Sequence, residues 1–223
     1  GHLAYRAVVP QAQLPAAMRS DGVTTWLGPH MHVVQYPLRR GELMNIVAII
    51  EGPAPADMET WDHAANAVDL EAALARYCTP LQDLIRAVPA AGTQWRLWPL
   101  SDRDPLSSAD QMAQGLVGLL GDAAHPMRPY LAQGAGMAIE DAAELQRALA
   151  MDDLDVRLRL RRYALNRWQR AARVQARSRR NGRIFHASGP MRWGRDLSLK
   201  LLGARIMDLP WLYRGDGSSA TTL

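Results

Sequence analysis

The sequence predicts an α+β fold: a small antiparallel sheet with its helices, joined to a strand and helices that read as one flank of a larger α/β unit. Three observations predict it. Residues 2–9, 30–38 and 43–50 carry the alternation and β-branched content of strands, the last two joined across "RRGE" as a hairpin. Residues 67–78, 81–88, 136–150 and 154–181 space apolar side chains three or four apart, the helical period. "GLVGLLGDAAH" runs from an apolar strand, 116–120, into a turn rich in glycine and proline and then a helix, an α/β order.

Taken in order, "GHLAYRAVVP" alternates and closes on proline as an interior strand does. Pro37 puts the 30–38 strand at an edge or frays it, because proline has no N–H for a neighbour. "EGPAPADMETW" is a loop. The 67–78 helix turns Val68, Ala72, Ala75 and Cys78 to one face, and 81–88 offers Leu81, Leu84, Ile85 and Val88. "TQWRLWPL" is a strand. The next helix sets Ile139, Ala142, Ala143 and Leu149 inward. The long helix buries Leu154, Leu158, Leu165, Trp168, Ala172 and Gln175 and turns its arginines out. "HASGPMRWGRD" breaks the pattern, and a short helix near 196–207 precedes the tail "DLPWLYRGDG". The segments group as 1–105, sheet and helices; 106–150, the Gly-Asp turn and its surroundings; and 151–223, basic helix and helical tail.

A chain of 223 residues fills one large domain or two small ones. With 48% hydrophobic and 22% charged residues it falls in the ordinary globular class. The single cysteine, Cys78, excludes an internal disulfide and a multi-cysteine zinc site, and no metal centre is expected. No apolar run approaches the roughly 18 residues of a membrane span. "GHLAYRAVVPQ" lacks the basic and apolar regions of a secretory signal, so the cytoplasm is expected. The net charge of +4 conceals an asymmetry: residues 157–183 hold eleven arginines and no acid, leaving about −7 for the rest. No aromatic stacking platform accompanies them. The expectation is a solvated helix face paired with carboxylates, and no nucleic-acid partner.

The chemistry concentrates in "GDAAHPMRPYLAQGAG", residues 121–136. A strand ending in Gly121 delivers Asp122 to its carboxyl end, where ligands sit in α/β proteins. Gly134 and Gly136 open a helix, so backbone N–H groups near 134–138 are free to meet an anion or an electron-rich carbonyl. Pro126 and Pro129 stiffen the turn between. A hydroxyl-accepting carboxylate beside such donors suits a large cofactor with a polarisable ring. A capping aspartate and a tight turn without ligand is the alternative.

"GDAAHPMRPYLAQGAGMAIEDA" resembles the second FAD-binding motif of class A flavoprotein aromatic hydroxylases, the salicylate and 3-hydroxybenzoate hydroxylase group. "GHLAYRAVVP", "WPLSDRDP", "SGPMRWGRD" and "WLYRGD" are similar to the same family, so the likeness covers nearly the whole chain. The resemblance implies a glutathione-reductase-like FAD domain plus an antiparallel-sheet substrate domain. It implies hydroxylation of a small phenolic or hydroxylated aromatic acid with NADH or NADPH and O2, through a flavin C4a-hydroperoxide. Asp122 would bond the ribityl region. Pro129 would lie beside the reactive edge of the flavin. Gly134, Ala135, Gly136 and Met137 would meet the pyrimidine end of the ring. Arg6 and Arg103 would lie near the cofactor, and His2 or Tyr5 would polarise the substrate phenol. Regular alternation puts His2 and Tyr5 on opposite faces, so a twist or bulge is needed for both to serve. A substrate carboxylate would find Arg6, His2 or Arg128, and Trp95, Trp98 and Tyr130 are candidate ring walls. His125 reads as a structural or cofactor-orienting histidine.

The family begins with a GxGxxG strand–helix that holds the FAD pyrophosphate, and this sequence has none. The expectation is the C-terminal half to two-thirds of such an enzyme, incomplete at the N-terminus, with a chain or segment carrying GxGxxG as partner; a homodimer is compatible. Alternatives are an oxidase- or epoxidase-like relative acting on a non-aromatic substrate, and a non-catalytic fragment or assembly partner.

Overall fold

The structure, a computed structural model, describes residues 1–53, 63–64, 67–203 and 209–213. They belong to two compact units: Gly1–Ser101 with Phe185–Ser188, and Asp102–Ile184 with Gly189–Leu223. Residues 54–61 of the expected loop, 204–207 of the expected C-terminal helix and 208 and 214–217 of the tail lie outside the described residues.

The first unit is an antiparallel sheet of six strands: β1 (His2–Pro10), β2 (Thr24–Gly28), β3 (Met31–Leu38), β4 (Leu43–Glu51), β5 (His63–Ala64) and β6 (Arg96–Leu100), ordered β2-β3-β4-β1-β6-β5. β2 escapes sequence reading because "TTWLG" is short and half polar. It pairs β3 only from Met31 to Gln35, so Pro37 sits past its end and β3 runs inside the sheet without needing that N–H. Pairing sets His2 opposite Glu51 and Ala4 opposite both Ile49 and Trp98. One face carries Leu3, Tyr5, Ala7, Val9, Ile46, Ala48 and Ile50 and packs on α1 (Ala67–Leu74) and α2 (Thr79–Ala90). α2 buries Leu81, Leu84, Ile85 and Val88 as expected. α1 does not follow expectation. It ends at Leu74 and buries Leu70 and Leu74, while Val68 and Cys78 are exposed; the leucines carry more apolar area than the alanines that set the sequence reading.

In the second unit β7 (Ala113–Gln114) and β8 (Val117–Gly118) pair, and α3 (Gly134–Leu149), α4 (Val156–Phe185), α5 (Gly189–Leu202) and α6 (Pro210–Tyr213) follow. The buried strand expected at 116–120 is not formed. Only Val117 and Gly118 pair, and Leu116 and Val117 are 64% and 63% exposed, with no further strand among the described residues to cover them. α3 also turns differently from expectation: Ile139 and Leu149 face out, and Met137, Asp141 and Ala148 are buried. A buried carboxylate, described below, sets that register. α4 buries Leu160, Tyr163, Ala164, Arg167, Ala171, Val174, Gln175, Ser178 and Asn181, while Leu158 and Leu165 are exposed. Its stripe is partly polar, so counting leucines selects the wrong side. α5 starts at Gly189, inside the stretch read as a break. Several arginines of α4 pair with carboxylates, as expected: Arg161 with Asp110, Arg170 with Glu140, and Arg179 with Asp102 and Asp104. Among the described residues no helix is long and apolar enough to cross a membrane.

Candidate functional site

In the second unit the loop between residues 121 and 134 is held by a buried ionic network. Gly121 adopts φ +56°, a conformation that costs glycine little, and its amide donates to Asp141 Oδ2 at 3.0 Å. His125 Nε2 meets the same oxygen at 2.6 Å, and Arg167 Nε donates to Asp141 Oδ1 at 2.7 Å. All three side chains are buried. Burial works to raise the Asp141 pKa, but bonds from His125, the Gly121 amide and Arg167 outweigh it and hold the carboxyl below its ordinary value. His125 is therefore a structural residue, and Asp141, which ties the loop to α3, was not legible in advance.

Polar residues on α4 hold the rest of the loop. Gln175 Nε2, Ser178 Oγ and Asn181 Nδ2 donate to the carbonyls of Pro126, Arg128 and Tyr130 at 3.3, 2.6 and 3.2 Å. Pro129 is the exposed centre of a tight turn in which the Tyr130 amide returns to the Arg128 carbonyl at 2.8 Å, suited to proline's fixed φ. Arg103 Nη1 donates to the Ala124 carbonyl at 3.1 Å, so this predicted cofactor residue braces the turn. Arg128 pairs with Asp102 at 3.1 Å and lies over the Tyr130 ring. Tyr130 and Trp95 are core residues rather than ring walls.

The start of α3 is the part free to bind. Gly134, Ala135 and Gly136 are its first residues, and their amides have no acceptor among the described residues. Met137 differs: its amide already donates to the Gln133 carbonyl at 2.9 Å, which removes it from the predicted donors. A Cβ at Gly134 would stand 3.9 Å from Asp122 Oδ1, so the exposed Asp122 carboxylate lies beside the donors. Three donors at the positive end of a sixteen-residue helix, next to a hydroxyl acceptor, fit the carbonyl edge of a flavin and its polyol chain.

In the first unit, the sheet face turned away from α1 and α2 carries His2, Ala4 and Arg6 of β1, His32 of β3, Asn45, Ile49 and Glu51 of β4, and Trp98 of β6. β1 is regular, with no bulge, and Tyr5 is 4% exposed within the opposite, apolar face. That removes Tyr5 from the candidate catalytic residues. Burial, then the charge of Asp69, push its phenol pKa up. Arg6 Nε donates to Asn45 Oδ1 at 2.8 Å, and its guanidinium lies 5.9 Å from the Trp98 ring centre. Asn45 Nδ2 and Trp98 Nε1 are buried without a hydrogen-bond partner among the described residues.

The same face holds a cluster that sequence reasoning missed apart from His2. His32 Nδ1 lies 2.8 Å from His186 Nε2, His186 Nδ1 lies 2.9 Å from Glu51 Oε1, and Glu51 Oε2 lies 2.6 Å from His30 Nδ1. The His2 ring sits 5.4 Å from that of His186. Burial, then the neighbouring His186 and His2, push the His32 pKa down to about 3. Burial opposes ionisation of Glu51, but bonds from His30 and His186 prevail and keep its pKa low. "HMH" was visible as alternation; its partner 154 residues away was not.

The chain matches the family described as FAD binding domain over residues 49–181. It is 37% identical over 216 residues to 3-hydroxybenzoate 6-hydroxylase of Polaromonas naphthalenivorans, covering 96% of this chain and 52% of that protein. It is 39% identical over 214 residues to 3-amino-4-hydroxybenzoate 2-monooxygenase PtnB3 of Streptomyces platensis, again covering 96% and 52%. Among solved structures, a salicylate hydroxylase substrate complex superposes with a TM-score of 0.75 at 27% identity, covering 93% of this chain and 53% of that one. The chain thus spans about half the length of the curated relatives it matches.

Proposed function

We propose a function from one premise: the chain belongs to the FAD binding domain family. Within a FAD-dependent monooxygenase that uses NAD(P)H and O2, it carries the loop that receives the flavin ring and the sheet face that receives a small phenolic or hydroxylated aromatic acid. One observation carries this reading: the three unpaired amides of Gly134, Ala135 and Gly136 beside Asp122. Donors at a helix start stabilise negative charge that develops on a ring carbonyl edge. Names of relatives such as 3-hydroxybenzoate 6-hydroxylase favour an aromatic acid as substrate.

Each residue then has a task. Asp122 accepts from the polyol chain of the cofactor, and Gly134, Ala135 and Gly136 donate to the ring. Pro129, held by Ser178 through the carbonyl before it, stands at the reactive edge, and Arg103 braces the turn behind. FAD supplies the reducing equivalents that activate O2. On the sheet face, Arg6 offers its remaining donors to the substrate carboxylate, and His2 lines the same face beside the phenol. The exposed run Leu116, Val117, Leu119 and Leu120 supports a further segment, bearing GxGxxG, packed over it. Dependence on reduced nicotinamide fits a cytoplasmic setting.

The test is NADH or NADPH consumption by the flavin-loaded full-length protein across hydroxylated benzoates, with the product identified by mass. Hydroxylated product in step with nicotinamide oxidation supports the reading. Flavin binding with peroxide as sole product for every aromatic acid opposes it.

A further inference from the structure

His2, Glu51 and His186 come from the start of β1, the end of β4 and the segment after α4, and they meet on the sheet face turned away from α1 and α2. One ligand atom from each lies within 4.8 Å of the other two. β1–β4 pairing sets His2 directly opposite Glu51. The Glu51 amide donates to the His30 carbonyl at 2.9 Å, and the His30 amide donates to the His186 carbonyl at 3.1 Å. The backbone therefore fixes all three positions before any ion arrives. The single cysteine of the chain bears only on thiolate sites, whereas this cluster offers imidazole nitrogen and carboxylate oxygen.

Two further histidines hold the outer atoms of the ligands. His186 Nδ1 and Glu51 Oε1 are 2.9 Å apart. His32 Nδ1 lies 2.8 Å from the other ring nitrogen of His186, and His30 Nδ1 lies 2.6 Å from the other oxygen of Glu51. A cation on His186 Nδ1 and Glu51 Oε1 takes the place of the hydrogen between them. His186 then carries its proton on Nε2 and donates it to His32 Nδ1, while His30 Nδ1–H donates to Glu51 Oε2. Imidazole ligands are held in this manner, through the ring nitrogen that the metal does not take.

We propose that His2, Glu51 and His186 form a zinc(II) site that staples the start of β1 and the end of β4 to the segment after α4, with water in the fourth position. Two imidazoles and one carboxylate are a donor set that zinc takes, whereas magnesium and calcium call for oxygen alone. Zinc bonds of about 2.0–2.2 Å place tetrahedral ligand atoms roughly 3.4 Å apart. The His186–Glu51 pair is already within that span, and His2, half-buried at the start of β1, closes the set by turning its side chain. Neither flavin nor aromatic acid is needed for the ion to bind.

Zinc binding is measured on the untagged full-length protein carrying Cys78→Ser, which removes the exposed thiol as a rival ligand. Titration against a chromophoric zinc indicator should show saturable binding, and the melting temperature should rise with zinc. His2→Ala and Glu51→Gln should each weaken binding about tenfold or more, since even the outer partners of a metal site are worth that much, and should remove most of the rise in melting temperature. Cobalt(II) in place of zinc should give visible absorption bands in the parent that both variants lose. Circular dichroism without metal checks that the variants fold, and His2→Ala, at the half-buried position, decides the outcome if Glu51→Gln does not. No saturable binding by the parent, or equal affinity in the parent and the folded variants, overturns the site.

Discussion

The Ser178 hydroxyl on α4 donates to the carbonyl of Arg128 at 2.6 Å, immediately before Pro129. A carbonyl inside a loop has no strand or helix to satisfy it, and here a helix supplies the hydrogen. Ser178→Ala leaves that carbonyl with the Tyr130 amide as its remaining donor, at a cost of about 0.5–1.5 kcal/mol. Urea unfolding should show the loss, and flavin affinity of the full-length protein should fall with it. Equal flavin affinity would mean that the Pro129 turn holds its shape without α4.

Asp141 gives a pH prediction. Its folded pKa is depressed, so its contribution to stability is complete above the ordinary carboxyl value of about 4 and is lost as pH falls through the folded value. Asp141→Asn disturbs bonds to His125, Gly121 and Arg167 and leaves a buried guanidinium with only Glu140 as a carboxylate partner. The expected loss is about 3 kcal/mol at neutral pH, shrinking towards zero in acid. Denaturant midpoints of both proteins, followed from neutral pH into the acid range, check the sign: the two curves should converge at low pH.

Asp122 is exposed and has no hydrogen-bond partner among the described residues, so folding gains little from it. Asp122→Ala should therefore keep the wild-type melting temperature while weakening FAD binding by about tenfold or more, the value of a bond to a charged group. Fluorescence titration of the flavin measures it.

Tyr5 and Arg6 are neighbours in the chain with opposite fates. Tyr5→Phe keeps the ring in the apolar core and should leave turnover within about twofold of wild type. Arg6→Met removes the charge from the face shared with Asn45 and Trp98, and should raise KM for aromatic acids about tenfold or more. Steady-state kinetics on the full-length protein separates the two.

Much of this was legible beforehand, and the exceptions share a cause. Alternation found β1, β3 and β4 because a two-residue period is strong over eight or nine residues. The resemblance of 121–136 to a flavin motif pointed to Asp122 and the start of α3. Register failed in α1, α3 and over part of α4, where alanines diluted the pattern or buried partners were polar: Asp141, Arg167, Ser178 and Asn181 look like surface residues in a sequence and face inward in the fold, whereas Gln175 is buried as expected. The 116–120 run read as a buried strand because apolar residues are counted alike whether or not a neighbouring strand covers them. His186 was invisible for another reason. Its partners His32 and Glu51 lie more than a hundred residues away, and no local period links them.

Amide NMR of the full-length protein, recorded without FAD, with oxidised FAD and with reduced FAD, bears most directly on where the ring lies. The resonances of Gly134, Ala135 and Gly136 should move on binding and again on reduction, when charge gathers at the carbonyl edge, while Met137, already bonded to Gln133, moves least. If those three amides stay where they were while FAD is bound, the ring lies elsewhere and the assignment of this loop is wrong.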